Sequence, residues 1–175
     1  DNDYPGFPLF SLFTLALGLT SHICDFDASK PAQANPKKVV KDPVEFNISF
    51  AAGSPSIWRN VADYCAKKKI KIPELKTIAM FGAPVSHNLL FDLSQIFTGA
   101  NIYTPYGATE CLPVSLTSAH EVLGETKELT LEGQGVCIGY PIKGGEVRIS
   151  PMEGSNPTVA DFLKEGEQGE IVVKS

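Results

Sequence analysis

The sequence predicts an α/β fold: a parallel sheet flanked by helices, followed by the start of a small antiparallel β segment. Three observations carry that expectation. Strand-like and helix-like patterns alternate between residues 46 and 104, the signature of parallel strands joined by right-handed crossovers. The run Thr77-Ile78-Ala79-Met80-Phe81 has little polar character, as a strand covered on both faces does. After about residue 120 glycines become frequent, and two alternating runs remain at 146–150 and 170–174. The expected division is an α/β part over residues 1–120 and an incomplete, β-rich segment over 121–175.

The elements follow in order. Residues 4–24 carry no formal charge with histidine neutral, but Pro5, Gly6 and Pro8 interrupt the start of this stretch. Neither a signal peptide nor a membrane-spanning helix of about 20 apolar residues fits it. The pattern predicts a helix over 9–19, apolar all round and therefore buried on several sides. A short strand over 22–26 and a polar loop over 27–36 come next, then one short helix over 36–42, ended by Pro43. Phe46-Asn47-Ile48-Ser49-Phe50 alternates at period two and predicts a strand, with Gly53 breaking the run. Ser54-Pro55 reads as an N-cap with Pro at the first helical position, and Ile57, Val61, Tyr64 and Cys65 fall on one helical face. Lys67-Lys68-Lys69 reads as the solvated end of that helix, where positive charge suits the dipole.

After the strand at 77–81, Gly82-Ala83-Pro84 turns the chain. Ser86 caps a helix whose buried stripe is Leu89, Leu90, Leu93, Ile96 and Phe97, and Gly99 closes it. Residues 101–104 form the next strand, with a loop over 105–110 behind it. The segment between the last two strands reads as a loop with at most one helical turn at 159–163.

Composition excludes several functions. With 175 residues, 43% hydrophobic and 20% charged, the chain is long and apolar enough to bury a core and is not disordered. Lys+Arg 15 against Asp+Glu 20 gives a net charge of -5, which argues against binding nucleic acid or an anionic membrane by bulk charge. Cys24, Cys65, Cys111 and Cys137 are scattered, and His22, His87 and His120 show no metal-ligand spacing. Such cysteines read as free thiols of a reducing compartment, hence a cytoplasmic protein. The absence of an initiator Met and the alternating run at the end lead us to expect a piece of a larger protein. The sequence leaves the oligomeric state open.

In a parallel sheet the loops at Gly53, Gly82-Ala83-Pro84 and Tyr106-Gly107 share one edge, the edge where such sheets bind ligands. The string Tyr103-Thr104-Pro105-Tyr106-Gly107-Ala108-Thr109-Glu110 carries the chemistry. Tyr106 offers a ring to stack on a base, and Gly107 lets the backbone approach a ligand. The Thr109 hydroxyl donates to a phosphate oxygen, and Glu110 offers a hard oxygen to Mg²⁺. A surface turn with a solvated glutamate fits the same residues.

Tyr106-Gly107-Ala108-Thr109-Glu110 resembles the Tyr-Gly-x-Thr-Glu motif of the adenylate-forming (AMP-binding) superfamily, which includes acyl-CoA synthetases, luciferases and peptide-synthetase adenylation domains. Gly82-Ala83-Pro84 resembles that family's adenine-site loop. Gly139-Tyr140-Pro141-Ile142, Glu146-Val147-Arg148-Ile149 and Gly169-Glu170-Ile171-Val172-Val173 are similar to the segment that follows. Phe7-Pro8-Leu9-Phe10, Phe50-Ala51-Ala52-Gly53-Ser54-Pro55 and the stretch from Thr104-Pro105-Tyr106 through Cys111-Leu112-Pro113-Val114-Ser115 look most like one branch, the β-lactone synthetases of bacterial olefin biosynthesis.

The resemblance implies part of the N-terminal domain of such an enzyme, its residues 1–120 binding nucleotide and acyl group. It implies a two-step reaction on a small-molecule carboxylic acid, with ATP and Mg²⁺. A fatty, in this branch β-hydroxy, carboxylate becomes an acyl-adenylate, then a β-lactone or an acyl-CoA. By carry-over Gly82, Ala83, Pro84, Thr104, Tyr106, Gly107, Ala108 and Thr109 bind nucleotide. Thr109 and Glu110 are catalytic, and Glu110 holds Mg²⁺. Ser11 and Trp58 are acyl-pocket candidates; helix packing competes for both.

Two departures matter. Many CoA ligases of the family have Pro-Leu-Phe-His where this chain has Pro8-Leu9-Phe10-Ser11, which puts CoA in doubt. Thr104 stands where Asn or Asp often faces the adenine amine. The phosphate loop is expected before residue 1, and the ribose-binding Asp and catalytic Lys after residue 175, so the 175 residues alone are expected to be inactive. A non-catalytic adenine-nucleotide-binding module and an unrelated doubly wound protein with a chance motif are the competing readings.

Overall fold

A seven-stranded sheet in the order β2-β1-β3-β4-β5-β6-β7 organises the computed structural model, which describes residues 1–152 and 162–174. Strands β1 (Asn2–Pro5), β2 (Thr20–Ser21), β3 (Phe50–Gly53), β4 (Thr77–Met80) and β5 (Asn101–Ala108) pair in parallel. Strands β6 (Cys111–Ser118) and β7 (Tyr140–Pro141) extend the sheet antiparallel. A separate antiparallel pair joins β8 (Glu146–Ser150) to β9 (Glu170–Lys174), as the alternating runs predict. The fold class is the expected one. Among the described residues no helix is long and apolar enough to cross a membrane.

The register sorts the sheet into two faces, because residues in register on parallel neighbours point the same way. Tyr4, Ala51, Ile78 and Ile102 form one row. They are buried together with the apolar faces of α2 (Pro36–Glu45), α3 (Pro55–Lys68), α4 (His87–Ile96) and α5 (Ala119–Leu123). The expected stripes of α3 and α4 are buried, except that Tyr64 is half-buried. Ser86 caps α4 by accepting from Leu89 N at 3.3 Å. Gly99 has another use than closing α4: a Cβ there would lie 2.8 Å from the Pro73 carbonyl oxygen.

The opposite face carries Asp3, Phe50, Thr77 and, one pleat on, Ala52, Ala79 and Tyr103, with α1 (Phe10–Ala16) lying over them. Here the structure corrects the expectation of a helix buried on several sides. Leu12, Phe13, Leu15 and Leu17 are 58–75% exposed, and the buried residues of α1 are Ser11 and Thr14. The helix turns its polar stripe inward.

Other boundaries also move. Strand β1 precedes α1 and was not expected, since Pro5 and Gly6 read as breakers. They end a strand instead: Gly6 N donates to the Ala52 carbonyl at 2.7 Å, and a Cβ on Gly6 would meet that oxygen at 2.6 Å. The strand expected at 22–26 is β2, two residues earlier in the chain. Helix α2 runs through Pro43 to Glu45, because a proline near the helix end forfeits only one backbone bond. The chain then turns at Asn47, φ 51°, so the strand expected over 46–50 begins only at Phe50. The loop expected at 105–110 is a β-hairpin, and α5 and α6 (Lys127–Leu131) follow in a region read as β-rich. The helical turn expected at 159–163 lies largely outside the described residues.

Candidate active site

Two cavities flank the carboxyl edge of the sheet, one on each face. The first encloses about 440 Å³ on the helix-covered side. Gly82, Ala83 and Pro84 form one wall and Thr104, Pro105, Tyr106 and Gly107 another. Leu90 of α4, Val122 of α5 and the loop Val136-Cys137-Ile138 complete it. Gly82 adopts φ +90°, a conformation that favours glycine. At Gly107 a Cβ would lie 2.6 Å from the Cys111 carbonyl oxygen, and the β5–β6 register shifts between Tyr106 and Ala108. The bulge bends the strand end and leaves the Tyr106 ring 38% exposed.

The walls are held by directed bonds. The Ser115 hydroxyl on β6 donates to the Ile138 carbonyl at 2.6 Å. Gly139 passes so close to β6 that a Cβ would lie 2.0 Å from the Leu116 carbonyl oxygen. A reciprocal capping box starts α5: Glu121 N donates to Ser118 Oγ at 3.3 Å, and Glu121 Oε2 accepts from Ser118 N at 2.7 Å. The backbone and hydroxyl bonds from Ser118 hold the Glu121 carboxyl below its ordinary pKa.

The second cavity, about 630 Å³, lies between α1 and the other face. Its walls are mostly apolar: Phe10, Phe13 and Leu17 on one side, Phe50, Ala52, Ala79 and Phe81 on the other, with Leu112 and Leu116 from β6. Pro105 lines both cavities. Phe81 borders the apolar one and its neighbour Gly82 the other.

Most of the expected nucleotide set thus meets in one place: Gly82, Ala83, Pro84, Thr104, Tyr106 and Gly107. Ala108, Thr109 and Glu110 stand exposed at the hairpin tip and are not part of that lining. A carboxylate beside a hydroxyl suits Mg²⁺, which usually takes one or two carboxylates plus substrate phosphates. No cluster of three or more His, Cys, Asp or Glu able to hold a metal by itself occurs among the described residues. Ser11 and Trp58 line neither cavity. Trp58 is buried and meets Phe97 edge-on at 5.7 Å, a packing role, and the Ser11 hydroxyl is buried without a partner. The sequence reading missed Leu90, Val122 and 136–138, since only the tertiary fold brings these apolar residues to the edge.

The chain matches the family model described as AMP-binding enzyme over residues 6–175. It belongs to that family. An olefin beta-lactone synthetase of Xanthomonas campestris pv. campestris is 37% identical to this AMP-binding chain over 175 residues, covering 98% of the chain and 31% of the relative. An olefin beta-lactone synthetase of Stenotrophomonas maltophilia matches at the same 37% and the same coverage. A long-chain-fatty-acid–CoA ligase of Thermus thermophilus is 28% identical over 124 residues, covering 69% of the chain and 22% of the relative. The chain thus spans about a third or less of the curated relatives it matches.

Among solved structures, a long-chain-fatty-acid–CoA ligase from Archaeoglobus fulgidus superposes with a TM-score of 0.73 at 17% identity, over 99% of this chain and 34% of that one. The O-succinylbenzoate coenzyme A synthetase of Bacillus subtilis, in complex with AMP, gives 0.71 at 17% identity, over 99% and 32%. These likenesses establish the fold of the AMP-binding chain.

Proposed function

We propose that this chain supplies the nucleotide- and acyl-binding walls, within residues 1–120, of an ATP-dependent acyl-activating enzyme. The observation that carries the reading is the pair of cavities back to back at Pro105. One joins the glycine-bearing turn at 82–84 to Tyr106, and the other is apolar enough for a hydrocarbon chain. In this reading adenine stacks on Tyr106, with backbone at Gly82 to Pro84 and Thr104 around it. The carboxylate end of an apolar acid reaches the edge near Phe81 and Gly82.

A carboxylate oxygen attacks the α-phosphorus of ATP, the bond to pyrophosphate breaks, and the product is an acyl-adenylate. The main barrier is the meeting of anions, so placement and charge neutralisation dominate. Mg²⁺ supplies that neutralisation when bound. Glu110 ligates it, and Thr109 donates to a phosphate oxygen.

In the second step a nucleophile attacks the acyl carbon, and AMP leaves with the electron pair of the broken bond. Identity of 37% to β-lactone synthetases, against 28% to a CoA ligase, favours the substrate's own β-hydroxyl as that nucleophile. Ser11 in place of the ligases' histidine agrees. Attack by CoA is the second reading, supported by the ligase relative. The residues described here are one part of such a machine, and we expect them to form no adenylate alone.

The test is pyrophosphate release by the whole protein with ATP, Mg²⁺ and a panel of fatty and β-hydroxy fatty acids, with product masses taken with and without CoA. Release that depends on acid, and falls at least tenfold in kcat/KM with Tyr106→Ala, is the expected result. AMP binding without release from any acid would instead favour a non-catalytic nucleotide-binding module.

A further inference from the structure

The far end of the apolar cavity is not apolar. Asp3 lines it and is only 5% exposed. Thr14 Oγ1 donates to Asp3 Oδ2 at 2.5 Å, while Asp3 Oδ1 is buried with no partner. Two more buried oxygens without partners, Ser11 Oγ and Ser21 Oγ, lie outside the cavity lining. Ser11 Oγ lies three residues before Thr14 on the same helical face, and Ser21 Oγ belongs to the register partner of Asp3 on β2. Trp58 Nε1, in the helix-covered core, is the other such atom among the described residues. Buried polar groups are normally paired, and leaving a buried carboxyl oxygen unpaired is costly.

The location sets what could pair with that oxygen. Asp3 shares a register row with Phe50 and Thr77. Phe81 and Pro105, beside the nucleotide cavity, come four residues after Thr77 and Asn101 on their strands, about 13 Å along the sheet at a strand's rise. A chain activated at that edge reaches Asp3 only with its distal part. The cavity walls leading to Asp3 are mostly apolar, so a neutral partner is brought there more cheaply than an ammonium.

We propose that Asp3 and Thr14 form a specificity site for a hydroxyl carried on the distal part of the acyl chain. The hydroxyl donates to Asp3 Oδ1, which gives that oxygen the partner it lacks. The proposal rests on the acyl-activating reading and adds to it a position on the substrate remote from the reacting carbon. A site built to bond a hydroxyl discriminates against the chain that lacks it, because its own groups are then left unpaired.

The experiment measures kcat/KM for pyrophosphate release by the whole protein over acids of one chain length. The hydroxyl is moved from the third carbon to the terminal one, with the unsubstituted acid as reference. The expected profile has a second maximum at a distal position, at least about tenfold above the unsubstituted acid. Asp3→Leu should bring that ratio to about one, and Thr14→Val, which removes the hydroxyl bonded to Asp3, should reduce it. A wild-type profile that is flat or falling beyond the third carbon overturns the specificity site and leaves acyl activation standing. No release from any acid overturns the activating reading and this inference with it. The wild-type profile decides the matter even where Asp3→Leu does not fold.

Discussion

Ser115 donates to the carbonyl of Ile138 at 2.6 Å, and this bond ties β6 to the loop that closes the cavity beside Gly82 and Tyr106. Ser115 is 2% exposed, so no water replaces the bond cheaply. Ser115→Ala should cost about 1–3 kcal/mol of stability by leaving a partly buried acceptor unpaired. It should also weaken AMP binding, because Val136, Cys137 and Ile138 lose their anchor. Thermal unfolding and AMP titration of the whole protein read both effects; an unchanged Kd beside a lowered Tm would detach the loop from the site.

Gly107 leaves no room for a side chain. A Cβ there would lie 2.6 Å from the Cys111 carbonyl oxygen and 2.9 Å from Leu112 Cδ1. Gly107→Ala should destabilise the hairpin by about 1–3 kcal/mol through overpacking and move Tyr106 with it. The AMP affinity should then fall more than in a surface control such as Lys127→Ala, whose side chain lies on α6 away from that cavity's lining.

Glu121 gives the fold a dependence on acid. Its folded pKa is lowered, chiefly by the backbone bond from Ser118. A lowered carboxyl contributes stability above its unfolded value, about 4.3, and loses it as pH falls through the lower folded value. Glu121→Ala should therefore cost about 1 kcal/mol at pH 7, the usual size of a cap, and the gap to wild type should close as pH drops below about 4. Denaturant midpoints from pH 7 to pH 3 check this; a gap constant across that range would mean the capping box does not titrate as its bonds imply.

The cysteines are free and differ in accessibility. Burial pushes the Cys24 thiol up to about 12 and raises Cys65 as well. The thiolate is the reactive form, so neither should alkylate readily at neutral pH. Cys137 is half-buried and lines the cavity proposed for the nucleotide, whereas Cys111 does not. AMP at about ten times its Kd should slow Cys137 alkylation by about tenfold and leave Cys111 unaffected. Peptide mass spectrometry resolves the two sites, and equal protection at both would point to a global change rather than occupancy.

The order of the central elements was legible because its signals are local. Leu89, Leu90, Leu93, Ile96 and Phe97 recur at helical spacing, Ser54 and Ser86 precede helices, and Thr77 to Met80 is a short apolar run. The turn at 82–84 and the strand end at 104–107 could be placed on one edge from parallel topology alone.

What escaped the sequence depends on partners distant in the chain. The strand character of Asn2–Pro5 comes from pairing with β3, almost fifty residues on. The wall at 136–138 reaches the cavity through the bond from Ser115 and the pairing of β6 with β7. In α1 the leucines and phenylalanines announce a buried helix, yet Ser11 and Thr14 occupy the inner side, where Thr14 bonds to Asp3. A hydrophobic count cannot tell which side of such a helix meets the sheet.

Pro105 has a thermodynamic consequence. One rigid ring stands as a common partition between the two cavities proposed for nucleotide and acid, so a displacement of β5 that reshapes one also reshapes the other. Whatever factor the acid imposes on the affinity for nucleotide, the nucleotide must impose on the affinity for acid, since the cycle of the two binding equilibria closes. The order in which the two substrates enter would then be a kinetic preference only, and the shared partition would set a single heterotropic coupling for both.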